Sequence, residues 1–317
     1  MYNTITVNTA ITRKDNVMTP AAITTDLCSR WIAYLDVKPK TLETYTRSIR
    51  QFMYYLNDNE ITAPTRDDVI RYRDQLRTSH KPATVQSYII SVKLFFQWLE
   101  QEGLYEDIAK HIKGAKIEQG HKKDYMNEKQ VKRVLGGIDR STITGKRDYA
   151  ILLLLVTTGL RTCEVQRANI EDMRALGDDT VLYIQGKGRD EKSDFVKLAE
   201  PVEDAIREYL SERGRVKGSD ALFTSHANRN AGERMTTRSL SRIAKDSLVQ
   251  AGLNSDRLTA HSFRHTAATL NLRNGATIEE TQQLLRHTNI NTTMIYAHAL
   301  ERASNNSESR IASAILG

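Results

Sequence analysis

Six side chains stand in a fixed order along the second half of this 317-residue sequence: Arg161, Lys187, His261, Arg264, His287 and Tyr296. Arg161 closes the phrase Thr158-Gly159-Leu160-Arg161, and Lys187 sits between two glycines in Gly186-Lys187-Gly188. His261 and Arg264 belong to Ala260-His261-Ser262-Phe263-Arg264-His265-Thr266, and His287 ends Leu284-Leu285-Arg286-His287. A planar guanidinium donates two parallel hydrogen bonds to phosphate oxygens. A phenol activated by a base or a positive pocket can attack phosphorus. Histidine and lysine can take or give the protons that such an exchange moves. Together these are the parts needed to break and remake a phosphodiester through a covalent protein intermediate, with guanidinium charge doing what a metal does elsewhere.

Each part also has an ordinary reading. Arg161 and Glu164, three residues apart on one helical face, form a common surface ion pair, although Glu164 can also orient the guanidinium. His261 and Arg264 share a helix face at the same spacing and can meet one phosphate. His265 lies four residues beyond His261, a zinc-helix spacing, but the metalloprotease signature needs Glu where Ser262 stands, and no third ligand is near. No metal and no cofactor is therefore expected, and His265 is expected inside the fold. His287 can serve as a helix C-terminal cap, Tyr296 as a packing residue, and Lys187 as an exposed turn lysine. The ordered set, rather than any one member, carries the chemistry.

These residues must be positioned by two blocks of elements. Residues 1–22, rich in Thr and Asn, read as a flexible lead-in. Helical spacing then follows at Trp31-Ile32 and Tyr34-Leu35, and at Tyr45, Ile49, Phe52, Met53 and Leu56. A capping pattern at Thr65-Arg66-Asp67-Asp68 opens a third helix, and a fourth runs from Pro82 to Glu102, ended by Gly103. This predicts a small all-α domain over 23–107. A basic, apolar-poor stretch over 108–126 reads as a solvated linker whose Lys110, Lys113, Lys116, Lys122 and Lys123 can track a phosphate backbone. A second domain over 127–300 opens at the N-cap Asn127. Residues 147–158 are apolar nearly all round, as a buried central helix is. Thr180–Gln185 and Phe195–Leu198 alternate around a turn at 186–190, which predicts a hairpin with Lys187 at its tip. Helices are expected over 201–213, 237–251, 261–273, 278–287 and 291–299. A last helix over 301–317, with Ile311, Ala314 and Ile315 on one face, can pack on its own domain or on a neighbour. The fold class is mainly α with a small β-hairpin, an α+β protein of two domains.

Net charge is +7 with pI ≈ 9.3, a surplus spread along the chain rather than held in a tail, so contact with a polyanion needs arranged surfaces. Cys28 and Cys163 show neither metal nor redox spacing, as in a reducing compartment. The apolar run Ile151–Val156 is too short to span a membrane, and the polar start lacks a signal-peptide core. A cytoplasmic, DNA-associated bacterial protein without a membrane partner is expected.

The sequence resembles the tyrosine recombinases, the phage-integrase and Xer family. Thr158-Gly159-Leu160-Arg161-x-x-Glu164 is similar to their first arginine motif, Gly186-Lys187-Gly188 to their hairpin lysine, His261-x-x-Arg264-His265-Thr266 to the second box, and Leu284-Leu285-x-His287 with Tyr296 to the last histidine and nucleophile. The resemblance covers about 23–317 and departs at Cys163, read as a small core residue. It implies that Tyr296 attacks the scissile phosphate to leave a 3′-phosphotyrosyl bond and a free 5′-hydroxyl. Arg161, Arg264 and His287 would hold the phosphate, His261 would take the phenol proton or support the pentavalent state, and Lys187 would protonate the leaving oxygen. It further implies a C-shaped clamp on double-stranded DNA with specific core sites, and a homotetramer on two sites linked by exchanged C-terminal helices. An accessory directionality factor is a further implied partner. The N-terminal extension and the Leu-Arg-His phrase at 285–287 incline the role toward a mobile element, with dimer resolution as the other setting. A type IB topoisomerase sharing this chemistry, and a DNA-binding protein that has lost catalysis, are the alternatives.

Overall fold

The computed structural model describes residues 22–116, 124–186 and 189–316. Residues 1–21 of the lead-in, Lys122, Lys123 and Lys187 lie outside the described residues. The chain divides into two compact units, Met1–Gln119 and Gly120–Gly317.

In the first unit four helices follow in sequence: α1 (Thr25–Tyr34), α2 (Pro39–Asp58), α3 (Arg66–Ser79) and α4 (Pro82–Gln101). Pro39 and Pro82 open α2 and α4, where a missing N–H leaves no helical bond unmade. At the start of α3 the Asp68 carboxylate accepts from both the backbone N–H and the hydroxyl of Thr65, each at 2.7 Å. Gly103 ends α4 in the left-handed region at φ 67°. The core is aromatic. Trp31 of α1 meets Phe95 of α4 edge-on at 5.6 Å, and Phe52 of α2 meets Tyr72 of α3 at 5.0 Å. Each buried aromatic of this size contributes roughly 1.5–3 kcal/mol by burial.

The expected solvated linker is ordered at its near end. Ala109 and Ile112 are buried in the aromatic core, and arginines of α3 hold the chain beyond it: Arg66 donates to the Lys110 carbonyl, Arg73 to that of Lys113 and Arg77 to that of Gly114. The lysine-rich composition hid two apolar anchors placed three apart. The side chains of Lys110, Lys113 and Lys116 are exposed.

The second unit runs α5 (Glu128–Gly136), α6 (Ile143–Thr158), α7 (Thr162–Arg167), a 3-10 turn (Ile170–Asp172), β1 (Met173–Leu176), β2 (Asp179–Ile184), β3 (Asp194–Leu198), α8 (Glu200–Arg213), α9 (Thr237–Gln250), α10 (Ala260–Arg273), α11 (Ile278–Leu285), α12 (Asn291–Ser304) and α13 (Ser307–Leu316). The expected α+β class holds. The centre is α6, whose Ile151, Leu152 and Leu154 are fully buried and which packs on α8 and α10. The predicted hairpin forms with Leu182 opposite Val196 and Ile184 opposite Asp194. A third, antiparallel strand, β1, adds to the edge of β2. Met173–Leu176 is too short and too exposed to show the alternation that marks a strand. No helix among the described residues is long and apolar enough to cross a membrane. The last helix, α13, buries no residue, and Ile311, Ile315 and Leu316 are 60%, 74% and 84% exposed.

Gly159 ends α6 at φ 62°, and a Cβ there would stand 2.7 Å from Leu285 Cδ2. Left-handed strain and that overlap act together, so Gly159→Ala should destabilise the second unit by about 1–3 kcal/mol. Both tryptophans lie in the first unit. The expected result is a lower urea midpoint in circular dichroism with unchanged tryptophan fluorescence, and equal midpoints by both probes for variant and wild type would contradict it.

Candidate active site

The site assembles where α6, α10 and α11 end or begin. The chain leaves α6 through Gly159 and buries Leu160, which turns Arg161 outward at the N-cap of α7. Glu164, 1% exposed in its side chain, accepts the Arg161 backbone N–H at 2.8 Å and the Arg161 guanidinium at 2.9 Å. One carboxylate thus caps a short helix and aims the arginine, whose side chain is 30% exposed. The i, i+3 pair is structural and orienting at once.

The first turn of α10 is closed by Ser262, whose hydroxyl accepts the Thr259 N–H at 3.0 Å. His261 is exposed and Arg264 is buried on the same face. Arg264 donates to the Gly159 carbonyl at 2.5 Å and to the Leu285 carbonyl. Those carbonyls lie at the C-terminal ends of α6 and α11, where helix dipoles favour a cation. Burial, then the like charges of Arg161 and Arg286, push Arg264 down to about 10, which leaves it protonated at neutral pH. His265 is buried, as expected, and meets His261 edge-on at 4.7 Å and Tyr296 at 5.2 Å.

α11 stops at Leu285, two residues short of the expected 287, because Arg286 takes the left-handed conformation at φ 54° and ψ 45°. That geometry costs a side-chain-bearing residue about 1–2 kcal/mol relative to glycine. His287 follows, with Nδ1 2.9 Å from the hydroxyl of fully buried Thr293. Burial, then Arg264, Arg161, Arg286 and His261, push His287 down to about 4. The ring is therefore neutral and can offer a substrate one polar nitrogen. Tyr296 on α12 is 5% exposed, with its ring 6.5 Å from that of His287 and nearly parallel to it. Burial raises its phenol pKa, and Arg264 and Arg161 only partly offset this. The phenol is protonated and needs a proton acceptor to become a nucleophile.

Arg161, His261, Arg264, His287 and Tyr296 all line one open cleft of about 490 Å³. Lys187 falls outside the described residues, while Gly186 and Arg189, on either side of the hairpin tip, line the cleft. Lys110, Lys113 and Lys116 belong to the other unit. Cys163 is half-buried rather than a core residue, since α7 is too short to enclose it. Two cleft features escaped sequence reasoning. Thr293 carried no motif, and Arg286 was absorbed into a helical period that gives no warning of positive φ.

Comparison with known proteins finds relatives for both units of the chain. Residues 124–302 match the model of the phage integrase family, and residues 21–103 match that of the phage integrase N-terminal SAM-like domain. The tyrosine recombinase XerD of Listeria monocytogenes is 30% identical over 289 residues, 86% of this chain and 94% of that protein. In structure the chain is similar to the XerH site-specific recombinase in a post-cleavage complex with palindromic difH substrate, with TM-score 0.68 at 23% identity over 83% of this chain and 78% of that one. It is also similar to a lambda integrase tetramer bound to a Holliday junction, with TM-score 0.67 at 18% identity over 87% and 77% of the respective chains. The chain belongs to the phage integrase family of tyrosine recombinases, enzymes that cleave and rejoin DNA.

The folded pKa of His287 lies below the ordinary 6.5, so the native state binds fewer protons than the unfolded one, and its contribution to stability is lost as pH falls from about 6.5 through 4. The His287 ring resonance in the free protein should keep its neutral position down to about pH 5. Arg161→Gln removes one repelling charge and should move the midpoint upward. A wild-type midpoint at 6.5 would show that the cleft does not hold this ring neutral.

Proposed function

We propose that this protein is a site-specific DNA recombinase whose nucleophile is Tyr296. The carrying observation is the convergence, on one cleft, of two arginines, a neutral histidine and a buried phenol. Arg161 and Arg264 hold the non-bridging oxygens of the scissile phosphate, and His287 adds a neutral hydrogen bond. The Tyr296 oxygen forms a bond to phosphorus while the bond to the 5′ oxygen breaks. The phenol proton passes to His261, exposed at the cleft, and Lys187, by its motif, supplies the proton to the leaving 5′ oxygen. Rejoining runs the same steps backward with a 5′-hydroxyl from another strand. Each step exchanges one phosphodiester for another, so the sequence needs no ATP.

Assembly as a tetramer on two core sites is supported by the likeness to the lambda integrase tetramer on a Holliday junction. It is also supported by α13, whose exposed Ile311, Ile315 and Leu316 suit a neighbouring protomer. That apolar face favours an assembling recombinase over a monomeric relaxing enzyme. The exposed Lys110, Lys113 and Lys116 are assigned to DNA backbone contact, where charge serves without base readout.

Two measurements test this reading. On nicked suicide duplexes carrying the core site, in EDTA, wild type should form a covalent adduct on a denaturing gel and Tyr296→Phe should form none. An adduct of equal yield in that variant would move the nucleophile elsewhere. Arg161→Ala should slow cleavage by about 10²–10³ while duplex binding stays within about threefold, and normal cleavage would remove the arginine from its proposed role. Recombination between two unlike sites would point to insertion of a mobile element, and between two like sites to dimer resolution.

A further inference from the structure

Arg286 also lines the cleft, and the proposed mechanism gives it no role. Arg286 occupies a helix C-cap whose left-handed backbone suits glycine, and its side chain is only 12% exposed. Its guanidinium donates to the Leu284 carbonyl at 2.7 Å and to Glu164 Oε2 at 3.2 Å. Oε2 is the same oxygen that accepts the Arg161 backbone N–H, and Oε1 holds the Arg161 guanidinium. One buried carboxylate therefore bridges two arginines that are 125 positions apart in the chain, counted from 161 to 286. Arg286 Nε is buried without a hydrogen-bond partner among the described residues.

A cap needs none of this. A residue kept only to end α11 would be glycine, or would turn its side chain to solvent. Here a strained backbone, a buried cation and an unmade hydrogen bond are all accepted to put a guanidinium on Glu164. With Arg161 as its only partner, the Glu164 carboxylate would neutralise the charge that Arg161 presents to substrate. With Arg286 sharing the carboxylate, two positive charges face one negative, and the cleft keeps a net cation beside Arg161. The second contact also fixes the carboxylate that orients Arg161.

We propose that Arg286 is a positioning residue for DNA cleavage, acting through Glu164 to hold Arg161 in place and to leave its charge free for the scissile phosphate. This rests on the assignment of Arg161 to that phosphate. The geometry excludes a direct contact through Nε, which is enclosed.

The test compares Arg286→Gly and Arg286→Lys with wild type in single-turnover cleavage of the suicide duplex, with duplex binding and urea unfolding measured alongside. Glycine relieves the left-handed strain, so Arg286→Gly should fold and bind DNA within about threefold of wild type. It should cleave at least about 10-fold more slowly. Arg286→Lys, which keeps the charge but loses the fork, should fall between the two. The same comparison on a duplex with a methylphosphonate at the scissile position, which removes one negative charge, should shrink the deficit of Arg286→Gly. Cleavage by Arg286→Gly at the wild-type rate would overturn the proposal, as would a deficit of equal size on both duplexes, which marks a packing role. Normal cleavage by Arg161→Ala, run alongside, would instead overturn the assignment on which the proposal rests, and the two failures are distinguishable in one gel.

Discussion

The second unit depends on one buried guanidinium. Arg264 ties the carbonyl that ends α6 to the carbonyl that ends α11, and so decides where Arg161, which follows α6, and His287, which follows α11, can stand. Unpaired carbonyls at a buried helix end are costly, and a cation supplies their missing donors without a further loop. The same group is a phosphate ligand in the proposed mechanism, so scaffold and chemistry share one side chain. Its removal is therefore a change of architecture as much as of charge. Arg161, held by a carboxylate at the rim and 30% exposed, separates the two roles more cleanly.

The electrostatics of the cleft follow from crowding cations in a small volume. Arg161, Arg264 and Arg286 repel one another, and among the residues that set their charge state Glu164 is the chief negative partner. The consequences appear in the neighbours: His287 is kept neutral, and the Tyr296 phenol is raised by burial yet drawn down by two arginines. In the proposed mechanism a phosphodiester entering this field relieves the repulsion among the three arginines. In that mechanism substrate binding is thus favoured by charge, because the anion to be attacked also offsets the desolvated arginines.

Much of this could be read from the sequence, for identifiable reasons. The helices over 25–101 announce themselves through apolar spacing, and Thr65 and Asn127 through their capping residues. The β2–β3 hairpin shows its alternation, and the motif residues point to a shared cleft. What escaped has no local signature. β1 is four residues of edge strand. The burial of Ala109 and Ile112 depends on arginines some forty positions away in α3. Arg286 looks like one more helical residue until its φ is known. Glu164 was legible as a partner of Arg161, but not as a bridge, since its second partner lies in a different helix. Spacing reports what repeats along a strand or helix; it is silent on carbonyls and carboxylates shared between distant segments.

The helix that carries Tyr296 ends at Ser304, and α13 begins at Ser307. Two residues form the whole tether, and an ion pair between Arg302 and Glu308 reaches across it. A link so short transmits force. Whatever seats the apolar face of α13 must also pull or push on α12, and with it the phenol packed against His265 and His287. If α13 docks on a neighbour as proposed, the tail is a lever as well as an adhesive surface: where it lands bears on the helix that carries Tyr296, the proposed nucleophile, without any ligand entering the cleft.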